Sequence, residues 1–211
     1  MRRTFALALA AALPLAAAAE TTTWNIDPAH SDSSFAVKHL VVSTVRGHFG
    51  KTTGTLHLDD KDLSKSSAEA TVDTTTIDTR VADRDADLKS ANFFDVAKYP
   101  EMTFKSTKVQ KQGKGKLKVT GDLTIKGTTK PVVFDVTYSQ PVKGMKGEER
   151  RGFNGTTRIN RRDFGLTWSK TIEAGPVVAD NVDITLDLEA VKAQPAEEAA
   201  KAKAANAEEK K

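Results

Sequence analysis

Hydrophobic and polar positions alternate with period two along most of the chain, the repeat of a strand with one buried face. From Lys116 to Lys126, Leu117, Val119, Gly121, Leu123 and Ile125 fall on one face, while Lys116, Lys118, Thr120, Asp122, Thr124 and Lys126 fall on the other. Gly127-Thr128-Thr129-Lys130-Pro131 then turns the chain into a strand with Val132, Phe134, Val136 and Tyr138 on one face. Later, Val182, Ile184, Leu186 and Leu188 alternate with Asp183, Thr185, Asp187 and Glu189. Weaker alternation predicts strands from Ser34 to Val41, His48 to Leu58, Ala68 to Thr74, Met102 to Val109 and Gly152 to Ile159. Gly47, Gly50 and Gly54 mark bends or bulges of the kind that close a barrel. The rhythm breaks between Arg80 and Asn92, where a charged stretch carrying only Val81 and Leu88 as apolar residues predicts one short helix. About eight strands, several of them with one apolar and one charged face, predict an all-β antiparallel fold, with a closed barrel favoured over a sandwich.

The two chain ends depart from this pattern. Met1-Arg2-Arg3 precedes an unbroken apolar run from Phe5 to Ala19 that ends in four alanines. That is the form of a secretory signal peptide over residues 1–19, too short for a spanning helix. No cysteine follows it to take a lipid, and the chain has no cysteine at all, so neither disulfides nor thiol chemistry enter. From Gln194 the residues are almost wholly Ala, Glu and Lys, with four Glu and four Lys in balance. Such a segment cannot bury a face, so residues 194–211 are expected to be disordered or marginally helical. One folded domain over residues 20–193 is left. Without Arg2 and Arg3 the formal charge falls from +4 to +2, only mildly basic.

The residues offer little for catalysis. No Gly-x-Ser-x-Gly elbow is present, and Asp27-Pro28-Ala29-His30-Ser31 groups a triad's residue types in sequence, which is poor grounds for a triad in space. Asp83-x-Asp85-x-Asp87 opens like a calcium loop but has Leu88 and Phe94 where Gly and Glu are required, and the histidines lack zinc-ligand spacing. No metal, cofactor or catalytic residue is therefore expected. Lys105, Lys108, Lys111, Lys114, Lys116 and Lys118 crowd one hairpin without interleaved aromatics, which excludes base stacking and hence nucleic acid. They read as an outward face or a guarded strand edge, with weak attraction to an anionic membrane surface as the secondary reading. The chemistry then rests with the interior. Nine phenylalanines lie mostly on apolar strand faces or beside the helix, and a barrel of about eight strands has room for side chains or for one ligand. Gly121, between Val119 and Leu123, is expected to leave volume there.

Several segments are familiar. The chain resembles the YceI-like family, exported proteins with a lipocalin-like barrel described as polyisoprenoid-binding. The resemblance is carried by Trp24-Asn25-Ile26-Asp27-Pro28-Ala29-His30-Ser31, Phe35-Ala36-Val37-Lys38-His39-Leu40, Val45-Arg46-Gly47-His48-Phe49 and Ile77-Asp78-Thr79. Leu88-Lys89-Ser90, Phe93-Phe94-Asp95-Val96 and Tyr99-Pro100 continue it, then Gly121 to Gly127, Thr129 to Val132, Ile159-Asn160-Arg161, Asp163 to Leu166 and Trp168. It implies a lipocalin-like barrel in the periplasm, without enzymatic activity, enclosing a polyisoprenoid or an isoprenoid quinone. Phe35, Val37, Phe49, Phe93, Phe94, Phe104, Val119, Leu123, Phe134, Phe153, Phe164 and Trp168 are expected to line the chain of such a ligand, and His39, Arg46, Arg161 and Arg162 to meet its head group. Asp87 stands where the family usually has His, which disfavours an anionic head group beside it. A stress-related barrel filled by its own side chains and an enzyme acting on a lipid are the rival readings. Pairing of two copies through a strand edge stays open.

Overall fold

The computed structural model describes residues 21–172 and 175–194. The expected signal peptide, and all but the first residue of the expected tail, lie outside the described residues. Ten strands carry the fold: β1 (Thr21–Ile26), β2 (Asp32–His39), β3 (Ser43–Phe49), β4 (Thr52–Asp59), β5 (Ser67–Asp73), β6 (Glu101–Lys111), β7 (Lys116–Ile125), β8 (Thr128–Tyr138), β9 (Glu149–Asn160) and β10 (Val178–Lys192). Antiparallel pairing runs β1–β4–β5–β6–β7–β8–β9–β10 and returns to β1. The result is an eight-strand closed antiparallel barrel with one α-helix, α1 (Ala82–Lys89).

Two positions in this ring are filled by bent pairs. β1 and β2 both lie along β10, at residues 190–192 and 178–187, with a short 3-10 turn at Pro28–His30 between them. β3 and β4 form the next pair; β3 lies against β2 and β4 against β1. The single strand expected from His48 to Leu58 is thus broken at Gly50-Lys51. The reason is parity. Phe49 is buried at an odd position, whereas Thr52, Leu56 and Leu58 are buried at even ones, and a regular pleat cannot change face without an irregular residue. β1 itself was not indicated by alternation, because only Trp24 and Ile26 in it are large and apolar.

The closed ring changes two expectations. β6 and β7 are each paired on both sides, so the lysines of that hairpin guard no edge. They lie on an outward face, where Lys105 reaches Glu69 at 2.7 Å, Lys111 Asp62 at 3.2 Å and Lys118 Asp135 at 3.7 Å. Gly121 leaves no void either. A Cβ there would lie 2.4 Å from Cζ of Phe104 and 2.5 Å from the Lys105 carbonyl oxygen. The aromatic ring across the ladder takes the space, and only glycine lets the strands approach so closely.

The register divides the barrel into two ends. Residues 39–43, 73–101, 125–128 and 160–178 connect strands at the helix end. Residues 59–67, 111–116 and 138–149 connect them at the far end. A buried cluster occupies each end, one around Phe93, Ile125, Phe164 and Leu166, the other around Trp24, Leu58, Leu63 and Leu117.

Candidate functional site: an apolar cavity along the barrel axis

The inward halves of the strands do not close completely on one another. They leave a cavity of about 250 Å³. Its lining comes from all around the ring and is almost entirely carbon: Phe35, Val37, Phe49, Phe104, Val119, Leu123, Phe134 and Phe153 from the strands, Leu88 from α1, and Phe93 and Phe94 from the turn after it. The rings organise the wall. Phe49 stands edge-on to Phe94 at 5.7 Å and Phe104 edge-on to Phe134 at 5.4 Å, arrangements favoured by the ring quadrupole. The polar side chains at the wall include Ser33 and Thr52, whose hydroxyls are hydrogen-bonded to each other at 2.8 Å. A buried polar pair satisfied in this way costs little and offers a guest nothing.

Two of the expected aromatic residues lie outside the lining. Phe164 is buried in the core at the helix end, and Trp168 packs at a tilt against Phe93, with ring centroids 5.2 Å apart. They support the wall from behind. In their place β10 supplies Val178, Val182, Ile184, Leu186 and Leu188, and β6 supplies Met102. The alternation of β10 already marked four of these as inward; attention to aromatic residues passed over them.

The four residues expected at a head group fare differently. Arg161 does line the cavity, but its guanidinium is fully engaged. Nε donates to the Ala179 carbonyl at 2.9 Å, Nη1 to the Trp168 carbonyl at 2.8 Å and to that of Leu166, and Nη2 to the Val178 carbonyl at 3.3 Å and Asp180 at 3.2 Å. A guanidinium has five N–H donors, so none is left for a ligand. Burial pushes its pKa down, opposed by Asp180. The residue ties the loop after β9 to the start of β10. Arg162 is exposed and donates to Asp180 at 2.6 Å. His39 and Arg46 lie outside the cavity wall, and Arg46 points outward beside Ala36.

Asp87 does not face the cavity. Its carboxylate accepts from Asn92 Nδ2 at 2.9 Å and its carbonyl from Ser90 Oγ at 2.7 Å, so it fastens the turn that carries Phe93 and Phe94. α1 has Asp83 and Asp85 in its first turn and Lys89 in its last, which suits the helix dipole. Asp85 accepts from the Thr79 backbone N–H at 2.9 Å, and Arg84 Nη2 donates to the Thr79 carbonyl at 2.9 Å. The acidic triplet is therefore part of a helix and its anchor.

The residues of Asp27-Pro28-Ala29-His30-Ser31 lie where β1 gives way to β2, away from the cavity wall. Asp27, His30 and Glu189 each offer an atom within 4.8 Å of the others. Arg150 Nη1, however, donates to Asp27 at 3.0 Å and also to Glu189, while its Nε reaches Glu148 at 2.7 Å. The guanidinium already engages these carboxylates and holds the bend against β9 and β10. Hydrogen bonds from His30, first, and then from Arg150 keep the Asp27 carboxyl below the usual range. Ser31 Oγ is bound to the backbone of Glu189.

Comparison with known proteins agrees with this architecture. The model of the YceI-like domain matches residues 24–190. A UPF0312 protein of Vibrio parahaemolyticus is 40% identical over 188 residues, 88% of this chain and 95% of that protein. Among solved structures, BcnA of Burkholderia cenocepacia superposes with a TM-score of 0.69 at 28% identity, over 78% of this chain and 98% of that one. The YCEI protein of Campylobacter jejuni gives 0.64 at 31% identity, over 74% and 90%. A polyisoprenoid binding domain from Saccharophagus degradans shares the fold alone, with a TM-score of 0.59 at 14% identity over 82% and 100%. With its domain matched almost from end to end, this chain belongs to the YceI-like family.

Proposed function

We propose that the protein is a carrier that holds the hydrocarbon chain of a polyisoprenoid lipid, such as an isoprenoid quinone, inside the barrel. One observation carries this reading: a carbon-lined cavity of about 250 Å³ where a filled core was the alternative. That is larger than the roughly 150 Å³ apolar cavity that stays dry and takes up benzene. Burial of each CH₂ contributes roughly 0.8 kcal/mol, so one five-carbon prenyl unit contributes about 3–4 kcal/mol. A few units offset the roughly 4–15 kcal/mol cost of association. The name of the Saccharophagus domain is consistent with such a ligand.

Because the Arg161 donors are spent, the cavity wall favours the apolar chain and leaves the polar head to lie at the surface. Leu88 and Phe94 line the cavity and are themselves part-exposed, which makes the helix end the place for that head. The leader expected over residues 1–19 supports a periplasmic setting. A lipid-modifying enzyme is the weaker reading, since His30 and Ser31 lie off the cavity wall.

The test is organic extraction of protein isolated from its own periplasm without detergent, followed by mass spectrometry. A stoichiometric prenylated species is expected, together with a raised melting temperature when a polyprenyl quinone is restored to stripped protein. An empty extract and an unmoved melting temperature would sink the proposal.

A further inference from the structure

We infer that the β2–β3 turn, together with the neighbouring two-residue strands Thr171–Ile172 and Gly175–Pro176, docks on a lipid bilayer bearing anionic head groups. The inference rests on the carrier reading and says where cargo is exchanged. Val41 and Val42 stand at the tip of the turn, 70% and 85% exposed, and Ile172 on the first of those strands is 46% exposed. The two elements are adjacent: the Leu40 N–H donates to the Val177 carbonyl at 3.0 Å, and His39 pairs with Val178.

The turn is built against local preference. Leu40 and Val41 have φ of 52° and 61°, and the Val42 N–H closes on the His39 carbonyl at 3.1 Å. Two successive left-handed residues make a type I′ turn, where Asn-Gly is the ordinary choice and a β-branched residue is disfavoured. Neither valine is buried, so burial among the described residues does not offset the strain or the exposed hydrocarbon. A local rule broken without internal compensation points to a surface outside the protein.

The charges say which surface. Lys38, Arg46 and Lys170 are exposed around the tip. No acid lies between Lys38 and Arg46, and the sequence from Gly165 to Ala179 contains one, Glu173. Apolar side chains among cations match the boundary of an anionic bilayer, where the hydrocarbon enters the head-group region and the cations are drawn to the surface. The cavity reaches the same end, since Val37 and Val178 carry its wall to the base of the turn. Cargo leaving there would enter hydrocarbon without crossing water. The lysine-rich β6–β7 hairpin places its turn at the far end, with no large exposed apolar residue between Lys105 and Lys118. It therefore lacks the apolar half of the pattern, and Val142 and Met145 in the next loop, though exposed beside Lys143 and Lys146, lie at the end that the Trp24 cluster closes.

The experiment is flotation of the full chain with cargo-free vesicles of phosphatidylethanolamine, with and without phosphatidylglycerol. The wild type is expected to float with the anionic vesicles, less so at high salt. Val41→Ser with Val42→Ser should lower the bound fraction roughly tenfold while leaving the melting temperature unchanged. Lys38→Gln with Lys170→Gln should abolish the preference for phosphatidylglycerol. Val142→Ser with Met145→Ser, at the far end, should float like the wild type. A wild type that does not float, a valine variant that floats as well, or a tip-dependent dimer without flotation would each overturn docking. Farnesol added in vesicle-free solution reports on the cavity separately. If it fails to raise the melting temperature of every variant, the carrier reading fails, while the docking result stands on flotation alone.

Discussion

The two ends of this barrel are closed by different means. At the far end Trp24 is buried against Leu56, Leu58 and Leu63, and Ala190 packs on it from β10. Arg151 completes the layer: its guanidinium lies 4.9 Å from the Tyr138 ring and donates to the Ser139 carbonyl at 2.9 Å and to Asp60 at 3.3 Å. These contacts join residues distant in sequence. At the helix end the cover is α1, which has no buried residue, and the turn after it. That segment is held largely by bonds to itself, such as Phe94 N–H to the Leu88 carbonyl at 3.0 Å and Val96 N–H to the Lys89 carbonyl at 3.0 Å. A helix without a buried residue, bound mainly to its own turn and anchored in the core through Phe93, marks a region that opens below the global unfolding free energy. Both ends hold a buried cluster, and under the carrier reading proposed above the end covered by α1 is the one through which cargo passes.

The contrast can be broken most severely at the far end. Trp24→Ala should cost about 3–5 kcal/mol, a large part of a typical total of roughly 5–15 kcal/mol, read as a shifted urea midpoint. Arg161→Met should come next, at about 3 kcal/mol, because it leaves several carbonyls without donors. Limited proteolysis should then cut between residues 165 and 178 before the rest of the barrel. Phe94→Ala removes a part-exposed ring and should cost less, about 1–2 kcal/mol. Its clearer mark should be faster amide exchange across residues 82–96 and faster ligand release, with exchange at the far end unchanged. A uniform rise in exchange at both ends would refute the division.

Acid gives the smallest expected effect and again falls on the far end. Asp62 accepts hydrogen bonds from Ser64 and pairs with Lys111, which hold its pKa at about 2. Its unfolded value is about 3.9, so the folded pKa is depressed. The contribution is therefore complete above about pH 4 and lost as pH falls towards about 2. Asp62→Asn should flatten that part of the pH–stability curve; an unchanged slope between wild type and variant would count against the assignment.

Much of this was legible in the sequence. Leu117 to Ile125 and Val182 to Leu188 alternate because one face of each strand meets the barrel interior, and the charged break at 80–92 gave the helix. The phenylalanines that line the cavity were largely identifiable, since an aromatic residue at an inward position has few other places to go. The bends at Pro28–His30 and Gly50-Lys51 were harder to read, because they reveal themselves only through which neighbouring strand each half meets. Gly121 looked like spare volume until the ladder brought Phe104 across it. Arg161 looked like a head-group ligand until the loop wrapped its carbonyls around the guanidinium.

By itself the sequence determined the strand faces, the single helix and the family. These depend on the order of neighbouring residues and on the fixed period of the pleat. The tertiary structure decided where the ring closes, how much volume remains inside it and which polar groups are already spent. Those outcomes depend on register between residues far apart in the chain, and a cavity is what remains after every side chain has been placed.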